Sequence, residues 1–207
     1  MKMLIAFIPL VSYASFCYCQ SVLEVRSSED EIDNPMKLLK GQRPLYLVRA
    51  VTPSNMWTEN NQYICWNSTK KTDLSGLPMY NPGPSAVTHD ITYYHVTQSG
   101  SPELGKKLGV WTVSENRVIL QTRVPETEPK IRSEWSLVEA QRHCMVLGKN
   151  VNTSDAICLY WVSDRNPTKG HRKCEDAYES MCEASSYPTY NWLEKCDEHN
   201  KPKGISR

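Results

Sequence analysis

The sequence predicts an all-β domain built as a closed antiparallel barrel or a sandwich. Three observations carry this expectation. Short runs rich in β-branched and aromatic residues recur at period two and are separated by turn chemistry. No run long enough for a helical crossover separates them, which argues against a parallel α/β sheet. Six cysteines follow the N-terminal leader, a number that suits a disulfide-stapled exported domain.

The elements are justified in chain order. Residues 1–19 combine a positive Lys2, an apolar stretch over 4–11 broken only by Pro9, and small or polar residues before Cys17-Tyr18-Cys19. This predicts a signal peptide cleaved between Cys19 and Gln20, hence an exported, extracellular protein. Residues 20–33 are acidic and polar and are expected to form a flexible leader. Asn34-Pro35 is an N-cap followed by proline at the first helical position, and Gly41 is a stop, so a short helix is predicted over 36–40. Strands are predicted over 45–51, 62–66, 87–96, 108–113 and 117–124. Prolines and glycines make residues 76–84 a long rigid loop, and 98–102, 114–116 and 125–129 are further breaks. Residues 131–141 suit either a strand or a short helix. Two more strands are predicted at 143–147 and 156–162, then a helix at 173–183 and a charged tail at 197–207. The domain proper is placed at 34–196.

Composition narrows the function classes. Lys2 is the only charge in residues 1–19, so removing them turns 24 basic against 23 acidic side chains into 23 against 23. That balance gives no support for nucleic acid or an anionic membrane as partner. No stretch after the leader approaches the roughly 20 apolar residues of a membrane helix. Both Phe residues, Phe7 and Phe16, lie in the leader, which leaves Trp and Tyr as the aromatic content. Cys65, Cys144, Cys158, Cys174, Cys182 and Cys196 are expected as three disulfides, and spacing alone does not choose the pairing. No C-x2-C unit is present, so no metal site is expected. Asn67 and Asn152 begin sequons. No catalytic motif occurs, and neither an enzyme activity nor a cofactor is expected. His143 beside Cys144 and the acid pairs Glu126/Glu128 and Glu175/Asp176 read as structural or solvated groups. Binding, by a monomer, is the expected function.

The residues also resemble a family. Leu45-Tyr46-Leu47-Val48-Arg49-Ala50, then Trp57, then Tyr63-Ile64-Cys65 is similar to the start of the tick salivary lipocalins, the group that includes the histamine-binding proteins. In the C-terminal half, Cys144-Met145-Val146, eleven residues, Cys158-Leu159-Tyr160, thirteen residues and Cys174 resemble that family's cysteine frame, with Cys196 as its terminal cysteine. The resemblance spans about residues 34–196. It implies a lipocalin-like eight-stranded antiparallel barrel, with a short N-terminal helix and a C-terminal helix packed outside. It implies the pairs Cys65–Cys196 and Cys144–Cys174, which leaves Cys158 with Cys182. It also implies a secreted protein that holds a small ligand and modulates a host immune or inflammatory response. The family's amine binders carry acids where this chain has Met145 and Cys158, and Tyr and Asp where it has Thr52 and Asn55. A buried ammonium without carboxylates is costly, so an apolar ligand (sterol, fatty acid or eicosanoid) is expected, as in the japanin-like, sterol-binding branch. Histamine or serotonin is the alternative, with Asp90, Glu134 or Glu139 as substitute acids. An inhibitor of a host immune protein, acting through the 76–84 loop, is a further one.

Candidate ligand contacts follow from alternation. An outward Cys65 turns Ile64 and Trp66 inward and Asn67 outward. An outward Cys158 turns Ile157, Leu159 and Trp161 inward. Tyr46, Trp57, Tyr93, Tyr94, Trp111 and Trp135 complete the set.

Overall fold

The structure, a computed structural model, describes residues 35–53, 57, 62–72, 85–97, 102–122, 134–164 and 171–196. The chain divides into Met1–Glu31 and Ile32–Arg207, and every described residue lies in the second unit. The predicted leader, the 76–84 loop, Asn55 and the charged tail fall outside the described residues.

A short helix α1 (Pro35–Leu39) precedes eight strands: β1 (Leu45–Val51), β2 (Tyr63–Lys70), β3 (Ala86–Val96), β4 (Pro102–Ser114), β5 (Arg117–Thr122), β6 (Glu134–Gln141), β7 (Cys144–Lys149) and β8 (Ile157–Val162). Each pairs antiparallel with the next, and β8 returns to β1, which also pairs with β2, so the ring closes. After β8 come a helix α2 (Arg172–Cys182), a three-residue strand β9 (Thr189–Asn191) and a short helix α3 (Trp192–Cys196). The ambiguous segment at 131–141 resolves as strand over Glu134–Gln141. The sequence reading did not foresee β9 or α3.

Strand β1 is shared along one edge. Leu45 and Tyr46 pair with Ser68 and Asn67 of β2, whereas Arg49–Val51 pair with β9. So β9 fills the seam where β2 leaves β1. The Cys65–Cys196 disulfide and a hydrogen bond from the Cys65 backbone N–H to the Tyr190 hydroxyl (2.9 Å) fasten this C-terminal strap to β2.

Helix α2 presents Cys174, Tyr178 and Cys182, spaced four apart, as its buried face. It covers the outer face of β7 and β8, meeting Cys144, Val146, Cys158, Tyr160 and Val162. Two disulfides, Cys144–Cys174 and Cys158–Cys182, hold it there. Arg49 adds a cation–π contact 4.5 Å above the Tyr178 ring and ion pairs with Glu179 and Glu183. All three pairs are those the resemblance implied.

Strict alternation fails at three places, and each has a consequence. Over β1 it would send Leu45, Leu47, Arg49 and Val51 to one face, placing a guanidinium in the interior. A bulge at Val48 shifts the phase: Leu47 stands opposite Trp161 of β8 and Ala50 opposite Leu159, while Arg49 stands opposite the outward Tyr160. A bulge at Val138 does the same in β6, so that Leu137 and Ala140 face inward and Glu139 outward. The third bulge holds Cys65 at φ 57°. It puts Tyr63 and Trp66 on the inner face with Tyr93, and leaves Ile64 opposite Tyr94 on the other face. The alternation expected to turn Ile64 inward is therefore corrected, although Ile64 remains buried.

Candidate functional site

The candidate site is the barrel interior, where the aromatic side chains gather. A chain of aromatic rings runs through it from the closed end to the mouth. Ring centroids are 5.9 Å apart for Trp111 and Trp161, 5.7 Å for Trp161 and Trp57, and 4.8 Å for Trp57 and Trp66. Trp66 continues to Tyr93 at 4.5 Å, Tyr93 to Tyr63 at 5.6 Å, and Tyr63 stacks on His95 at 4.8 Å. Trp135 joins from β6, 6.4 Å from Trp57. All five of these tryptophans are fully buried. Aliphatic wall is supplied by Leu45, Leu47, Ile91, Leu120, Met145, Leu147 and Leu159.

Local chemistry explains why the rings lie where they do. β3 alternates without a break, so Val87, His89, Ile91, Tyr93 and His95 share the inner face. Gly105 lies opposite Tyr93, and a Cβ there would meet the tyrosine ring at 2.3 Å, so the ring lies over bare backbone. Leu159 and Trp161 face inward from β8, and Cys158, Tyr160 and Val162 outward beneath α2.

The closed end carries a directed hydrogen-bond chain. The Leu39 carbonyl can only accept, so His89 Nε2 carries the proton at 2.8 Å and Nδ1 is left as an acceptor. Ser68 donates to that nitrogen at 2.8 Å, and its oxygen accepts the Trp111 indole N–H at 3.0 Å. Burial, the largest influence, lowers the His89 pKa from 6.5 to about 4, which keeps the ring neutral at pH 7. This chain ties α1 to β2, β3 and β4 as a floor. The sequence reading missed His89 and Ser68; the signal was their phase, in step with Ile91 and with Trp66.

The indole donors divide into two groups. Trp66 donates to the Tyr63 carbonyl at 3.2 Å, and Trp111 to Ser68. Trp57 and Trp161 are neighbours in the interior, and neither Nε1 has a hydrogen-bond partner among the described residues. Buried donors without partners are unusual in folded proteins.

The three acids named as substitutes for an amine site all stand outside. Asp90 pairs with Lys106 at 3.0 Å and Lys71 at 3.8 Å. Glu134 pairs with Arg117 at 3.0 Å. Glu139, turned out by its bulge, accepts from the Ala140 N–H and the Gln141 amide. Among the described residues no carboxylate is buried. Of the positions compared with family acids, Met145 faces the interior, Cys158 faces α2, and Thr52 is buried at the mouth end of β1.

The predicted contacts thus separate. Trp57, Trp66, Trp111, Trp135, Leu159 and Trp161 gather in the interior with Tyr93. Tyr46 stands on the outer face, its ring 5.3 Å from Trp192 of α3. Tyr94 and Ile64 lie opposite one another, out of phase with the inner residues. At the mouth, a depression of about 410 Å³ is lined by Gln62, His95, Val96 and Thr97.

A closed eight-stranded antiparallel barrel with a helix at its floor and another against its outer wall is the lipocalin fold. A solved structure of that fold, japanin, agrees with this. Japanin from Rhipicephalus appendiculatus, solved bound to cholesterol, superposes with a TM-score of 0.55 at 9% sequence identity, covering 75% of this chain and 96% of japanin. Lobster apocrustacyanin A1 aligns with a TM-score of 0.42 at 11% identity, over 74% of this chain and 76% of its own. No family model matches the sequence. No curated protein matches it either.

Proposed function

We propose that this protein is an exported carrier that sequesters a small, largely apolar molecule in its barrel and so modulates a host immune or inflammatory response. The observation that carries the reading is an interior walled by indoles and aliphatic side chains, with no carboxylate among the described residues. Such a lining favours an apolar body over a cation, whose buried charge would lack a counter-ion. The partnerless N–H groups of Trp57 and Trp161 favour a molecule bearing an oxygen acceptor, such as a sterol, fatty acid or eicosanoid. An ammonium group offers only donors and leaves both indoles unsatisfied. The cholesterol held by japanin belongs to the favoured class.

Export is supported by the leader-like residues 1–19, by three disulfides and by the sequons, with the domain placed at 34–196. Asn152 is exposed in the turn after β7, and Asn67 lies half-buried on the outer face; both are proposed to carry glycan. Native mass spectrometry after organic extraction tests the carrier function. The stripped protein is expected to take up cholesterol or a long-chain fatty acid at one molecule per chain. Failure to take up any apolar ligand, with sub-micromolar uptake of histamine instead, would overturn it.

A further inference from the structure

A second concave site lies at the other end of the molecule. Between the segment that joins α1 to β1 and the turn that joins β6 to β7 is a cleft of about 580 Å³. Its lining shares no residue with the ring chain of the interior. Lys37 of α1, Arg43 before β1 and Arg142 in the β6–β7 turn converge on it, and no Asp or Glu lines it. Asp164, next in sequence to Ser163, stays outside the lining.

The two arginines of this lining differ from the other arginines among the described residues. Arg49, Arg117, Arg172, Lys71 and Lys106 each meet a carboxylate. Arg43 and Arg142 have no ion-pair partner among the described residues. They come from elements about a hundred residues apart, brought together by the closure of the barrel. Their mutual repulsion is relieved by an anion between them. A concave wall of one sign also concentrates anions more than a flat one does.

The remaining lining supplies neutral donors and a rigid wall. His143 Nδ1 and Ser163 Oγ are 3.2 Å apart, and the Ser163 N–H donates to the His143 carbonyl at 2.8 Å, so the turn bearing Arg142 is locked to the end of β8. Gln42 and Gln141 border the same space, the Gln141 amide also donating to Glu139. Planar guanidinium groups match tetrahedral oxyanions through paired N–H donors. The volume falls within the range of small-molecule sites.

We propose that this cleft binds a phosphate or sulfate group carried on a small organic molecule, independently of what the barrel holds. The site is separate from the interior, so the two are testable apart. The experiment titrates the full exported chain with inorganic phosphate and with glycerol 3-phosphate, chloride fixing the ionic strength, and follows backbone amide shifts by NMR. Saturable shifts are expected at Arg43, Arg142, His143 and Ser163, with glycerol 3-phosphate the tighter. Arg43→Gln and Arg142→Gln are each expected to weaken binding roughly tenfold, as for loss of a hydrogen bond to a charged group. The double variant is expected to keep the wild-type tryptophan emission, melting temperature and sterol uptake. Sedimentation with phosphatidylcholine vesicles, with and without phosphatidic acid, separates the sources. Arginine-dependent sedimentation assigns the group to a lipid headgroup; its absence beside saturable glycerol 3-phosphate binding assigns a soluble phosphoester. Shifts no larger than those from chloride, or shifts unchanged in the double variant, would overturn the proposal.

Discussion

His89 shows how one side chain couples the floor of the barrel to pH. Its folded pKa of about 4 lies below the ordinary 6.5, so the unfolded chain binds the extra proton first. Stability from this group is therefore complete above pH 6.5 and is lost as pH falls through 4. The full shift corresponds to roughly 3 kcal/mol. His171, buried and also lowered, contributes in the same direction. Urea denaturation at pH 7 and near pH 4 is expected to show this loss in the wild type and a flatter profile in His89→Gln; an unchanged profile would remove His89 from the account. The partnerless indoles make a second prediction at this scale. Trp161→Phe keeps a ring in place but deletes a donor, and is expected to weaken a hydroxylated sterol about tenfold while leaving its deoxy counterpart unaffected. Equal losses for both sterols, measured by fluorescence quenching, would assign Trp161 to packing alone.

At the scale of elements, the bulges decide which residues face the interior. Val48 is an extra residue between Leu47 and Arg49, so deleting it leaves Leu47 inward, Arg49 outward and Ala50 inward. A variant lacking Val48 is expected to fold cooperatively with Arg49 still against Tyr178. Deleting Thr92 from the unbroken alternation of β3 is expected to abolish folding, because one half of the strand changes face. Circular dichroism and tryptophan emission would compare the two. The strap is testable as well: Tyr190→Phe leaves the buried Cys65 N–H without its acceptor and is expected to cost about 1–3 kcal/mol. Most elements were legible in the sequence, because alternation in β3 and β8 and the Asn-Pro start of α1 are local signals. The bulges at Val48, Cys65 and Val138 were not, since nothing in Leu-Val-Arg marks the residue that loses its partner. Without them, Ile64 reads as inward and Glu139 as a plausible amine partner. β9 escaped because three residues carry no measurable period, and its pairing is fixed by a seam that exists only once the ring has closed. Trp66 and Trp161 were legible from phase, whereas Trp57, Trp111 and Trp135 were candidates by residue type alone; which indoles lacked partners depended on Ser68 and the Tyr63 carbonyl, neither of which spacing reveals.

For the whole molecule, the disulfides lie outside the ring chain. Cys144–Cys174 and Cys158–Cys182 staple α2 to the wall, and Cys65–Cys196 staples the strap, so none of the three crosses the interior. Replacing Cys158 and Cys182 together with Ala removes a cross-link over 24 residues of separation and is expected to cost about 3 kcal/mol, read from the urea midpoint, with ligand stoichiometry unchanged. The shared edge of β1 has a consequence for how the chain is made. Its mouthward half waits for Thr189–Asn191, and Cys65 waits for a partner 131 residues later. A ribosome delivering this polypeptide releases all eight strands of the ring, which end at Val162, before Thr189–Asn191 can fill that seam. Until then the seam beside β1 is unfilled, and an unpaired strand edge over apolar side chains is the kind of surface that makes a nascent chain prone to aggregate. Among the described strands, the last to be made is the one that fills the last gap in the wall.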